Sequence, residues 1–284
     1  MKFGLTLGAL NPKSWDAVAM LGDQLGFESA WMPEHMVIPV QSAGSPHHGQ
    51  DHPPIPATVP IYDVFTYLAF LVGKTEHIKF GTHVYNIGLR HPFSVARAAT
   101  TMDIVSGGRF LFGIGASWLK EEWDAAGLDF ATRGKRVDEA IEICRRLWSE
   151  DTVEFHGEHF DFDQVAFEPK PVTRPHPPII VGGDGNAALR RAATIGQGWI
   201  PMNHSLEQLP SSIAKIKEMR DAAGIAEKCE VTMGGGAVTS LDDVKRCRDA
   251  GIDRMLISPW KSSREALDGI KEFADTILGP GSDI

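Results

Sequence analysis

Cysteine is scarce in this sequence. Cys144, Cys229 and Cys247 are the three in 284 residues, far apart and forming no C-x-x-C pair. That excludes a disulfide framework and a cysteine zinc site, and it favours a reducing compartment, the cytoplasm. Basic residues are also in deficit: 28 Lys and Arg stand against 37 Asp and Glu, a formal charge of −9. A nucleic-acid partner needs a positive face to meet its phosphates, so none is expected. An anionic cofactor is not excluded, because it responds to local groups rather than to net charge. No run reaches the roughly 18 apolar residues of a membrane span. The opening MKFGLTLGAL is broken by Asn11-Pro12 too early for a signal peptide. Also missing is a G-x-G-x-x-G after the first apolar segment, where a dinucleotide-binding sheet would carry it.

What is present is an ordinary globular composition, 43% hydrophobic and 23% charged. Short apolar segments alternate with amphipathic ones. Strands are predicted at about 3–8, 28–33, 77–85, 109–115, 178–182, 197–201, 229–234 and 253–258. Between them, Val137, Ala140, Ile141, Cys144, Leu147 and Trp148 share one face of a helix over 133–148. Ala266, Leu267, Ile270, Phe273, Ala274 and Ile277 do the same over 263–278, with Gly279-Pro280 as the stop. Ser240, three residues before Asp243, is a predicted N-cap for 241–250. Leu25-Gly26-Phe27, Ile195-Gly196-Gln197 and Ala250-Gly251-Ile252 repeat a helix-stop-to-strand junction in which glycine takes the left-handed conformation. Eight parallel strands with helical crossovers either close into a barrel or form an open doubly wound sheet. Without the dinucleotide fingerprint, a single (β/α)8 TIM barrel over 1–284 is the expectation.

Two stretches interrupt the rhythm. Residues 36–60, rich in Pro, His and Gly, form an insertion after strand two, on the face where barrels keep their active sites. Such a loop is expected to act as a lid or to shape a substrate pocket. His47, His48 and His52, with Asp51, match no zinc spacing, and no metal is expected there. Residues 149–178 form an excursion before strand five, with FHGEHFDF as a short hairpin and a proline-stiffened return.

Polar residues at strand C-termini face the ligand of a barrel. Glu34-His35 follows strand two, and a histidine there can give or take a proton near neutral pH; a capping Glu and a surface His are the alternative. Thr82, His83, Val84 and Asn86 end strand three, with Arg90 close behind. Gly115, Ala116 and Ser117 end strand four, where small residues let backbone amides approach an anion or a ring. In Ile180-Val181-Gly182-Gly183-Asp184-Gly185-Asn186 a strand runs through a glycine turn into a helix, an arrangement that binds phosphate. Asp184 is expected to turn away from such an anion. Lys170, Arg190, Arg191, Lys261 and Arg264 could meet a cofactor's acidic tail, although ordinary helix solvation explains them as well.

The runs Ile78–Val84, Arg90-His91-Pro92, Asp103–Phe110 (DIVSGGRF) and Gly113-Ile114-Gly115 resemble luciferase-like monooxygenases, and among them the coenzyme F420-dependent oxidoreductases. Trp31 to His35, Phe155–Glu158, Phe167–Pro171 and Val181-Gly182-Gly183 to Gly198-Trp199 extend the resemblance over most of the chain. It implies a (β/α)8 barrel, usually a homodimer, with a deazaflavin or FMN across the strand ends. Its phosphate would lie at Gly182-Gly183, with Gly115 and Ala116 nearby. A non-prolyl cis peptide is implied at His83–Val84, and His35 matches the histidine after strand two. Ala116-Ser117-Trp118 lacks the glutamate that sugar-phosphate dehydrogenases of this group carry there, and their tryptophan soon after the histidine is also missing, so sugar-phosphate oxidation is not expected. The resulting expectation is an F420-dependent oxidoreductase acting on a small organic substrate. His35 is its acid/base, Glu34 orients His35, and Thr82 through Asn86, Gly115 through Ser117 and Gly182 through Gly185 hold the cofactor. An FMN-dependent monooxygenase and a non-catalytic flavin-binding barrel are the alternatives.

Overall fold

A computed structural model describes residues 1–8, 10–41, 45, 56–235 and 238–281. The histidines and aspartate of the 36–60 insertion, His47, His48, Asp51 and His52, lie outside the described residues.

Strands β1 (Lys2–Thr6), β2 (Ser29–Met32), β3 (Lys79–Thr82), β4 (Tyr85–Asn86) and β5 (Phe110–Gly115) come first. The helices among them are α1 (Trp15–Leu25), α2 (Val64–Val72) and α3 (Pro92–Ser106). After α4 (Lys120–Ala125) and α5 (Arg133–Ser149), an antiparallel hairpin of β6 (Thr152–His156) and β7 (Asp161–Ala166) stands outside the barrel. Then follow β8 (Ile179–Gly182), α6 (Asn186–Thr194), β9 (Gly198–Ile200), α7 (Leu209–Ala222), β10 (Glu230–Gly234), α8 (Leu241–Asp249), β11 (Arg254–Ile257) and α9 (Ala266–Phe273). The parallel order β3-β2-β1-β11-β10-β9-β8-β5 closes on itself through β3 and β5, with Phe80 against Phe110 and Gly81 against Leu111. The fold is a (β/α)8 barrel.

The predicted third strand is one barrel position in two pieces. It breaks at the cis His83–Val84 bond and resumes beside β5 as β4, with Tyr85 opposite Ile114 and Asn86 opposite Gly115. Every residue of β2 and β5 is buried, as expected of strands covered on both faces. Trp31, Leu111, Ile180, Ile200 and Leu256 fill the barrel interior. Arg254, 1% exposed, lies among them, with Nε and Nη2 on the two oxygens of Glu28 and Nη1 on Thr232. Burial works against the Glu28 charge, but this two-pronged contact prevails and holds its carboxyl at about 2.

The predicted face of α5 is buried in full. Over 263–278 the outcome differs: α9 ends at Phe273, a π-helical turn covers Ala274–Leu278, and Leu267 is 39% exposed. Leu267 sits about 100° around the helix from Ala266, off the line through Ile270 and Phe273. Ser240 caps α8 as predicted, its Oγ accepting from Asp243 N. Gly26 and Gly251 take positive φ at their junctions, +83° and +94°. Gly196 does not; a Cβ there would sit 3.0 Å from Ala192 Cα, so its reason is close packing. The hairpin turn is held to α5 by the Glu139 carboxylate, which accepts from the amides of Glu158, His159 and Phe160. Among the described residues no helix is long and apolar enough to cross a membrane.

Candidate active site

A cavity of about 380 Å3 opens at the C-terminal ends of β2, β4, β5, β8 and β9. Its floor is Val84. A Cβ on Gly115 would stand 2.7 Å from one Val84 methyl, and a Cβ on Gly182 would stand 3.0 Å from the other. The two glycines are therefore required by a neighbouring side chain, which rises between them to face the cavity.

On the β8 side Gly183 has φ +120°. Its N–H donates to Ile200 O at 3.0 Å and its carbonyl accepts from Trp199 Nε1 at 2.8 Å. This corrects the expectation that the Gly183 amide meets a phosphate: β9 has already taken it. The amides left for an anion are those that open α6, Asn186 and Ala187, which a helix start leaves without helical acceptors. Gly185, the N-cap, brings no side-chain oxygen to satisfy them. Asp184 turns to the loop after β9, accepting from Met202 N, Asn203 Nδ2 and His204 Nδ1. Burial opposes its charge, but these partners hold its carboxyl below the usual range. Arg133 and Arg191 line the same side. Arg191 is paired with Asp138 and Gly134 O, and Arg133 lies 3.9 Å over the Phe130 ring.

On the β2 side His35 Nδ1 lies 3.0 Å from Glu122 Oε2, and Glu122 Oε1 accepts from the amides of Met36 and Val37. Glu122, on α4, is fully buried. With Nδ1 turned to Glu122, the ring leaves Nε2 with no partner among the described residues. The Trp118 ring meets His35 edge-on at 5.9 Å. The orienting carboxylate is accordingly Glu122 and not Glu34. Glu34 accepts from Arg90 Nη2 at 2.5 Å through Oε1 and from Asn86 N at 2.9 Å through Oε2. Its burial raises the carboxyl above the ordinary range against the pull of Arg90.

His83, Val84, Asn86, Gly115, Ala116, Ser117, Gly182, Gly183, Asp184 and Gly185 all line the cavity together with Glu34 and His35. Thr82 does not. It is fully buried behind the floor, its hydroxyl donating to Gly113 O at 2.6 Å, and it fastens two strands. Trp118, Glu122 and Arg133 were not anticipated. Trp118 directly follows the flagged Ala116-Ser117, so its position was within reach; Glu122 carried no local signal.

Burial lowers the His83 imidazole to about 4 from 6.5, so it is neutral at physiological pH. The unfolded chain then binds more protons than the folded one between these values, and stability must fall as pH drops from 6.5 toward 4. Denaturant melts are expected to show a loss of about 3 kcal/mol from this group. The difference between wild type and His83→Gln should shrink across that window; a constant difference would discount His83.

The sequence matches the luciferase-like monooxygenases over residues 4–278. The chain belongs to this family. An uncharacterised protein from Mycobacterium tuberculosis is 32% identical over 241 residues, 84% of this chain and 83% of the relative. The FMNH2-dependent dimethylsulfone monooxygenase of Pseudomonas putida is 31% identical over 167 residues, 57% of this chain and 45% of that protein. Among solved structures, an F420-dependent secondary alcohol dehydrogenase in complex with an F420–acetone adduct superposes with a TM-score of 0.77 at 18% identity, covering 98% of both chains. Members of the luciferase-like family are oxidoreductases, monooxygenases among them. The family-like run Ser106-Gly107-Gly108-Arg109 lies at the far end of β5 from the cavity. There Arg109 donates to Ile78 O, Thr75 O and Val72 O, so the run serves the barrel framework.

Proposed function

We propose that the protein is an F420-dependent oxidoreductase that moves a hydride between the deazaflavin and a small organic substrate. One observation carries this: a single cavity joins an uncapped helix start, a floor formed by Val84 between Gly115 and Gly182, and a histidine held at Nδ1 by a buried carboxylate. The residues present fit an anionic, ring-bearing cofactor. The amides of Asn186 and Ala187 would take its phosphate, with Arg133 and Arg191 adding positive charge. Val84, His83 and Ala116 would back its ring. When bound, such a cofactor supplies the hydride acceptor or donor. His35 gives or takes the matching proton at Nε2, Glu122 fixes the tautomer, and Trp118 limits access of water. A homodimer belongs to the same proposal.

The FMNH2-dependent relative favours a second reading, a monooxygenase using reduced FMN and oxygen. Titration with F420 and with FMN, followed by fluorescence, separates the two. F420 is expected to bind saturably, and reduced FMN is expected to drive no oxygen consumption above background. Tight FMN binding with no F420 binding would reject the first reading.

A further inference from the structure

A second, smaller chamber of about 200 Å3 adjoins the main cavity and shares Pro33, Glu34, His35 and Trp118 with it. Its remaining wall is carbon-rich: Trp15, Met32, Val59, Ile61 and Tyr62. Trp15 and Tyr62 meet edge-to-face at 5.3 Å and set a rigid aromatic corner. Polar groups here are mostly committed. Trp15 Nε1 donates to Leu10 O, and both Glu34 oxygens are taken by Arg90 and Asn86. His35 is the acid/base group at the junction of the two spaces.

Among the described residues no Lys or Arg lines this chamber. A phosphate or carboxylate entering it would lose hydration and gain no counter-charge. The size is also restrictive, since a dry cavity of about 150 Å3 accommodates benzene. We propose that the chamber holds the apolar body of the substrate, an uncharged alcohol or carbonyl compound no larger than a single ring or a short branched chain. Its oxygen meets His35 Nε2. This rests on the oxidoreductase reading of the main cavity. In the oxidative direction His35 Nε2 would take the hydroxyl proton, and a bound deazaflavin would supply the acceptor for the hydride that leaves carbon as the C=O forms; reduction would reverse both transfers.

Binding can be followed without turnover, because Trp15 and Trp118 line the chamber and report through their fluorescence. Cofactor-free protein is titrated with cyclohexanone and, separately, with benzoate. Cyclohexanone should bind saturably and benzoate at least about tenfold more weakly, since the charge has no partner. Ile61→Trp, at a position 37% exposed, should weaken cyclohexanone at least about tenfold by filling the space. F420 titration of the same variant should match wild type. Benzoate binding as tightly as cyclohexanone, or no effect of Ile61→Trp, overturns the assignment. If Ile61→Trp folds poorly, Ile61→Lys replaces it and should turn the preference toward benzoate; an unchanged preference counts against the chamber. Failure of F420 to bind, with cyclohexanone binding intact, indicts the cofactor reading alone.

Discussion

His35→Ala is expected to lower turnover with F420 by about 100-fold or more, the usual worth of a positioned proton donor. Cofactor affinity should stay at the wild-type level, because the polar contact of His35 is to Glu122 and not to the helix start of α6. The measurement compares kcat for whichever alcohol or carbonyl compound the wild type consumes, alongside an F420 titration. His35→Gln should be equally slow: it keeps a hydrogen-bonding side chain but cannot shuttle a proton near neutral pH. Turnover at the wild-type rate in either variant would remove His35 from the chemistry.

The largest expected effect on stability comes from one methyl group. A Cβ on Gly113 would lie 1.8 Å from the carbonyl oxygen of Thr82 and 3.0 Å from its carbon. That neighbour is backbone of the adjoining strand and cannot rotate away. The same pair of strands is fastened by Thr82 Oγ1 on Gly113 O, so relieving the clash means separating them at the floor of the cavity. Gly113→Ala should therefore cost about 3 kcal/mol or more, at the upper end for overpacked cores. The thermal midpoint should fall by roughly 5 °C or more. Gly185→Ala is the comparison: nothing lies within 4 Å of its added Cβ, and its φ is −74°. It should unfold within about 0.5 kcal/mol of wild type. A Gly113→Ala protein as stable as Gly185→Ala would mean that β3 and β5 are farther apart than described.

The barrel was legible because each strand is a short apolar run and each helix carries its own periodic face. Val137 through Trp148 announced a buried stripe without help from the rest of the chain, and Ser240 announced a cap from a neighbour three residues away. The site was less legible where its contacts cross the fold. Glu34 looked like the partner of His35 because it is adjacent in sequence. The actual partner is 87 positions away on α4, and sequence-local reasoning had no means of bringing it there. Thr82 carried the right polarity at the right strand end, yet on a strand alternate residues face opposite sides, and the Gly113 carbonyl claimed its hydroxyl. Gly183 was flagged as an anion-binding amide for its residue type. Its hydrogen bond to Ile200 depends on the pairing of β8 with β9, which only the closed barrel determines. The glycines at 115 and 182 were anticipated as openings toward a ligand; both line the cavity, and what an added Cβ would meet at each is a methyl of Val84.

The two oxygens of Glu122 serve different masters. One tethers the imidazole, while the other pins the chain at Met36 and Val37, where the inserted segment departs from the barrel. That division makes the architecture modular. The inserted residues from Ile38 to Pro60 are then expected to tolerate exchange without disturbing the His35–Glu122 contact, so long as the two amides at their root keep their anchor.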